Sequence, residues 1–204
     1  MNGIGTHTGA QIDEYLRSMQ AHRVLEGKKV LDTGTGNGHA CTRLMLLGAD
    51  VVDAHDIKKS EDWEGPSSTM FYLGVPPPVD SYDIVFCHHV VEHVLNLGSY
   101  LMSLHSSLKD DGELWLACPN TLEDQPFALG HMYNFNLGNI MQVLRLCLFN
   151  TENACWQVVR GQLRVRVQKC CWHMSTLPVE FQEAYKRNIH FDVHELPAEK
   201  GWEV

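Results

Sequence analysis

The run Lys29-Val30-Leu31-Asp32-Thr33-Gly34-Thr35-Gly36-Asn37-Gly38 constrains this chain more than any other, because glycines at three alternate positions directly follow a strand-like segment. A helix-like segment comes next and ends at Gly48. Glycine adopts left-handed backbone conformations and puts no side chain in the way, so a ligand can lie against bare amides where the helix begins. The glycine pattern alone also fits dinucleotide sites. Asp32, two residues before the first glycine, narrows the choice: a carboxylate there opposes a doubly negative pyrophosphate and suits a ligand bearing ammonium and sulfonium charges. Asp56 closes the next strand 18 residues beyond Gly38, where an acid can accept both hydroxyls of a ribose.

Around this turn, strand-like and helix-like segments alternate from about residue 29 to residue 118, the pattern of a parallel sheet with helical crossovers. A helix over residues 9–26, with Ile12, Tyr15, Leu16, Met19 and Val24 on one face and Gly27 behind it, is expected to cover the sheet. Further strands are predicted at 51–56, 70–73, 82–87 and 113–118. The crossover at 57–68 is too short and polar for a full helix, and Pro76-Pro77-Pro78 forces an extended loop. Leu97, Leu101, Leu104 and Leu108 mark one apolar helix face before the Asp111-Gly112 turn. A helix over 137–148, capped by Asn134 or Asn136, leads to an antiparallel hairpin of strands 156–160 and 162–169 about Gly161. A last helix is predicted at 179–187.

Length and a hydrophobic content of 44% fit one domain, taken as residues 1–169 with an extension over 170–204. No apolar run approaches the ~20 residues of a membrane helix. The first residues lack the basic flank and apolar core of a secretion signal, so a cytoplasmic location is expected. A net charge of −9 disfavours nucleic acid and anionic membranes and leaves a small neutral or cationic molecule as the expected partner. The seven cysteines, odd in number and without C-x-x-C, read as reduced thiols, and Cys170-Cys171-Trp172-His173 receives no role.

Val30-Leu31-Asp32-Thr33-Gly34-Thr35-Gly36-Asn37-Gly38 resembles the nucleotide-binding motif of class I S-adenosylmethionine-dependent methyltransferases. Tyr82-Asp83-Ile84-Val85-Phe86-Cys87-His88-His89-Val90-Val91-Glu92-His93-Val94 is similar to the fourth-strand segment of the branch that contains ubiquinone-biosynthesis O-methyltransferases, which ends in Leu-Glu-His-Val. Leu108-Lys109-Asp110-Asp111-Gly112-Glu113-Leu114 resembles the turn before strand five, with Asp111 where a second glycine is usual, and Gly130-His131 before a capped helix also fits that branch. The resemblance spans residues 28 to about 169. It implies a Rossmann-like α/β fold, with a mostly parallel seven-stranded sheet ending in an antiparallel hairpin, and S-adenosylmethionine as cofactor, leaving as S-adenosylhomocysteine. By position it implies that Asp32, Gly34, Thr35, Gly36 and Gly38 surround the methionine moiety, that Asp56 holds the ribose, and that His88 lines the cofactor. Many relatives carry an Asp followed by an aliphatic residue after strand three for the adenine amino group. Met70-Phe71-Tyr72-Leu73-Gly74 has none, leaving Phe71 or Tyr72 to stack on the ring.

The sulfonium is already an activated leaving group, so such a protein mainly aligns the acceptor and excludes water. For a small-molecule hydroxyl acceptor, His89 and His131 are the expected general bases. His89-Val90-Val91-Glu92-His93 spells H-x-x-E-H, a zinc-protease pattern, but it begins at a strand end rather than on a helix. Some quinone-pathway relatives are thought to hold a divalent metal with an acid, Glu and His at these three positions; His89 replaces the acid here, and no metal is assigned. Arg164, Arg166 and Gln168 alternate with apolar residues and read as a solvated strand face. Two other readings compete. A nicotinamide oxidoreductase needs a second βαβαβ half that this length does not show. A non-catalytic binder of the cofactor or its product, or a partner subunit, shares the same fold.

Overall fold

The computed structural model describes residues 9–18, 24–120, 130–170 and 199–200. Strands β1 (Lys29–Thr33), β2 (Val51–Asp56), β3 (Phe71–Leu73), β4 (Tyr82–His88) and β5 (Leu108–Pro119) form the parallel half of one sheet. β6 (Phe149–Val159) and β7 (Gln162–Lys169) form the hairpin, with β7 antiparallel to β5. The seven expected strands are all present in the order β3-β2-β1-β4-β5-β7-β6, and a two-residue strand, β8 (Glu199–Lys200), adds to the β6 edge. That last pairing belongs to the predicted extension, whose expected helix over 179–187 lies outside the described residues.

Both sheet faces are covered, which is why the central strands read as nearly unbroken apolar runs. On one face Leu31, Val85, Leu114, Leu116, Leu163 and Val165 pack against α3 (Leu97–Ser107) and α4 (Leu137–Leu146). On the other, Val30, Ile84, Phe86, Trp115 and Ala117 pack against α1 (Gly9–Ser18) and α2 (His39–Leu46). Tyr15 anchors α1: its buried hydroxyl lies 3.1 Å from the Leu116 carbonyl and 3.2 Å from that of Val165, a cross-strand pair of β5 and β7. No described helix is long and apolar enough to cross a membrane.

Boundaries move where the ladder is irregular. β5 starts at Leu108, paired with Tyr82, and resumes with Glu113 opposite Ile84, so the Asp111-Gly112 turn is an interruption inside a strand rather than its beginning. β6 starts at Phe149, well before the predicted residue 156, because the polar run after Asn150 bulges out before pairing resumes at Cys155. Helix α1 is described only to Ser18, so Met19 lies outside the described residues.

At α4, Asn136 rather than Asn134 is the cap. Its side chain accepts from Asn139 N at 2.9 Å, and Asn139 Oδ1 accepts from Asn136 N at 2.8 Å, a reciprocal box. Asn136→Ala is therefore expected to lower stability by about 1 kcal/mol in urea unfolding. Asn134 contributes its backbone carbonyl to Asn139 Nδ2, so the exposed Asn134→Ala should change stability by less than about 0.5 kcal/mol.

Candidate active site

Strand order reverses between β1 and β4, and ligands of open α/β sheets bind in the crevice at the carboxyl ends of the strands at such a point. The glycine turn after β1 and the histidine-bearing turn after β4 flank it. Gly34 (φ +69°) donates its N–H to the His55 carbonyl at 2.8 Å, and a Cβ there would run into the Val90 side chain, so the two turns touch. At Gly38 (φ +84°) a Cβ would come within 2.7 Å of Gly65 N and 2.8 Å of Trp63 Cζ3. Gly36 faces open space, with no other heavy atom within 4 Å of a built Cβ. Its N–H donates to Asp56 Oδ2 at 3.0 Å, which ties the turn to the end of β2.

Asp32 is 2% exposed, and its Oδ2 accepts from Thr35 Oγ1 at 2.6 Å and Cys41 Sγ at 3.2 Å. Burial pushes its pKa up to about 6, with the two hydrogen bonds opposing the rise. The Thr35 hydroxyl thus faces the carboxylate. Thr33 Oγ1 lies 2.9 Å from His55 Nδ1 and 2.7 Å from Tyr100 OH, a polar cluster from three elements that local sequence spacing does not reveal.

The 57–68 crossover has no helix, as expected, but it folds back over the glycine turn. Glu64 N donates to the Asn37 carbonyl at 2.6 Å, and Thr42 Oγ1 donates to the Glu64 carbonyl at 2.9 Å. Trp63, a single aromatic in a polar run, meets Phe71 edge-on at 5.3 Å and escaped the sequence reading. Of the two residues expected to stack on adenine, Phe71 is engaged by Trp63 on one sheet face, and Tyr72 packs against the core on the other.

At the end of β4, His88 is nearly buried and stacks on Phe86 at 5.9 Å, with Tyr15 at 6.2 Å. His89 has left-handed backbone (φ +55°), so H-x-x-E-H forms a strand-to-turn bend and its two histidines do not share a helix face. The His89 side chain is only 4% exposed, with Nδ1 at 3.0 Å from Glu92 Oε1 and Nε2 at 3.1 Å from Gln162 Nε2. Gln162 Oε1 accepts from Arg164 Nη2 at 3.3 Å, so its amide donates to His89 Nε2. That fixes His89 with its proton on Nδ1, donating to Glu92. Both ring nitrogens are occupied, and the expected role of His89 as a general base does not fit this arrangement.

The basic strand face is not solvated either. Arg164 is buried at 2% exposure, 3.6 Å from Glu14 and over the Tyr15 ring, both on α1. Burial pulls its pKa down while Glu14 opposes that. Arg166 makes a two-pronged contact with Glu113 at 2.8 and 2.7 Å. Helix α1 turns a surface-like pattern into an interior one, and the distance in sequence hid it.

His131 lies in the segment after the undescribed residues 121–129 and meets His93 edge-on at 4.8 Å. The segment is held by Met132 N donating to the Glu92 carbonyl at 2.6 Å and by His93 Nδ1, whose proton meets the Gly130 carbonyl at 3.0 Å. Glu92, His93 and His131 form the group of potential ligands found among the described residues.

A family model described as a methyltransferase domain matches residues 10–164. The chain is 27% identical over 146 residues to the mitochondrial ubiquinone biosynthesis O-methyltransferase of Bos taurus, covering 63% of this chain and 39% of that one. It is 31% identical over 108 residues to a tRNA U34 carboxymethyltransferase of Hahella chejuensis, covering 45% and 32%. It thus spans well under half the length of these two relatives. Among solved structures, the 1,6-didemethyltoxoflavin-N1-methyltransferase of Burkholderia thailandensis, bound to S-adenosylhomocysteine, superposes with a TM-score of 0.60 at 18% identity, over 82% of this chain and 93% of that one. That likeness speaks for the fold, and the family match speaks for kinship: this chain belongs to the class I S-adenosylmethionine-dependent methyltransferases.

Proposed function

We propose that the protein transfers the methyl group of S-adenosylmethionine to a hydroxyl of a small molecule. The observation that carries this reading is a buried carboxylate, Asp32, set directly behind an open glycine turn and available to balance a cationic ligand. Asp56 supplies the ribose contact through whichever oxygen lone pairs the Gly36 and Ile57 amides leave. His88 lines the same crevice. In-line attack forms the oxygen–carbon bond as the carbon–sulfur bond breaks, the electron pair goes to sulfur, and the hydroxyl proton passes to the His131 imidazole. With His89 enclosed, His131 is the expected histidine that meets the acceptor. The name of the bovine relative supports oxygen as the methylated atom, and the charge of −9 disfavours the tRNA suggested by the Hahella relative's name.

Calorimetry should show S-adenosylmethionine and S-adenosylhomocysteine binding and NADH not binding. Asp32→Asn should weaken both at least ~10-fold at pH 7.5, a loss of about 1.4 kcal/mol. Binding of NADH, or of none of the three, overturns the reading.

The raised pKa of Asp32 gives stability and binding opposite pH dependences. A carboxyl whose folded pKa lies above its unfolded value contributes stability that is fully present below about pH 4 and lost as pH rises through about 6. Asp32→Asn is therefore expected to stabilise the ligand-free protein at pH 7.5, by roughly 1–3 kcal/mol, while weakening cofactor binding. In the wild type, affinity for the cationic cofactor should fall as pH drops below about 6. Titrations at pH 6 in buffers of different ionisation enthalpy should show proton release on binding.

For the acceptor side, His131→Ala should cut turnover roughly 100-fold with the cofactor dissociation constant unchanged. A parallel loss of cofactor binding would remove His131 from the acceptor side.

A further inference from the structure

Cys41 stands in the first turn of α2, and its thiol lies against the carboxylate on which the cofactor side of the crevice depends. Asp32 Oδ2, Thr35 Oγ1 and Cys41 Sγ form a closed triangle. Its sides are 2.6 Å from Thr35 to Asp32, 3.2 Å from Cys41 to Asp32 and 3.2 Å from Thr35 to Cys41. A hydroxyl and a thiol bring one proton each. With both protons given to Oδ2, none is left between Thr35 and Cys41, and Oδ1 accepts no bond among the described residues.

This arrangement favours the ionised form of Asp32. Hydrogen bonds to a buried carboxylate oppose the cost of burial, and the Thr35 hydroxyl, the Cys41 thiol and the Cys41 backbone amide all act in that direction. Burial, and then the Asp32 charge, push the Cys41 thiol well above its usual range, so it stays protonated and keeps donating. Two other titratable groups bear on Asp32. Asp56 from β2 opposes its ionisation, and the Cys87 thiol of β4 is held protonated by burial, with Asp32 adding to the effect. Thr35 and Cys41 are the side chains that donate to Asp32 among the described residues. Once Asp32 gains a proton it no longer draws both donors, and the Thr35 hydroxyl can turn to Cys41 Sγ.

From this geometry we infer that Cys41 is a positioning residue of the cofactor site, acting with Thr35: their two donated protons hold Asp32 in its charged form and leave Oδ1 for the cationic ligand. The role rests on Asp32 facing the cofactor, as proposed above. Its consequence is a pH range. With one donor removed, the carboxylate ionises only at higher pH, and affinity for a cationic ligand is lost at higher pH with it. Cys41→Ala removes a donor, whereas Cys41→Ser keeps one and replaces a weak S–H by a hydroxyl.

The test uses the full chain. Ionisation of Asp32 is followed without ligand by NMR of its side-chain carboxyl carbon, assigned by loss of the signal in Asp32→Asn, and S-adenosylmethionine affinity is measured by calorimetry across the same pH range. The wild-type midpoint is expected near 6. Cys41→Ala should raise it by about 0.5 pH unit and Thr35→Val by about 1 unit. Cys41→Ser should return it to the wild-type value or below. The pH at which cofactor affinity is half lost should move in the same order, whereas a packing role alone would weaken the cofactor equally at every pH. The Cys41 pair decides, because it leaves the glycine turn unchanged. An unmoved midpoint in Cys41→Ala, a Cys41→Ser midpoint no lower than that of Cys41→Ala, or uniform weakening without a shift would each overturn the role of Cys41. A wild type that binds no S-adenosylmethionine would sink the reading of function, while Asp32 midpoints in the expected order would still uphold the two donors.

Discussion

The Asp32 carboxylate, buried at the end of the central strand with two hydrogen-bond donors on one oxygen, is the constraint around which the rest is arranged. A charge there is costly, and burial makes it readily protonated. Thr35 and Cys41, which steady it, come from the glycine turn and the first turn of α2, so the same contacts that lower the cost also set the path of the backbone. Gly34 and Gly38 are needed because that path passes against Val90 on one side and against Trp63 and Gly65 on the other. Gly36, alone of the three in facing open space, is where a ligand has room.

How much of this was legible follows from distance along the chain. The parallel strands, the glycine turn, Asp32 and Asp56 were readable because each depends on neighbours within one βα unit. The cap of α4 was readable to within two residues, and Asn139, which completes the box, decides between Asn134 and Asn136. What escaped depends on partners far away in sequence. Arg164 looks solvent-facing in its own strand because its neighbours alternate, and only helix α1, some 150 residues earlier, buries it. Trp63 sits in a polar run whose purpose becomes clear once the run is seen to lie on Gly38. His89 has the chemistry of a base, and the left-handed bend that directs it toward Gln162 leaves no local signal in a residue other than glycine.

These long-range contacts divide the crevice into two functional halves. The β1 side, with Asp32, the glycines and Asp56, is set by local structure. The β4 side is set by a polar chain that enters from α1 and β7, from Glu14 through Arg164, Gln162 and His89 to Glu92. Replacing such a buried chain by apolar residues need not destabilise a protein, whereas removing one member leaves a charge without its partner. Its value here lies in direction: Arg164 donates to Gln162, Gln162 to His89 and His89 to Glu92 Oε1, while Glu92 Oε2 has no partner among the described residues.

The hairpin consequently has a role beyond closing the sheet. Gln162 and Arg164 lie on β7, in register with Pro119 and Ala117 of β5, so the antiparallel ladder fixes their height relative to the end of β4. A slip of that register by one residue would turn Arg164 to the opposite face and withdraw the donor from His89. Tyr15 counters such a slip, since its hydroxyl reads the Leu116–Val165 pair three positions from Gln162–Pro119 and one from Arg164–Ala117. The helix that covers the sheet thus also holds the alignment on which the histidine end of the crevice depends.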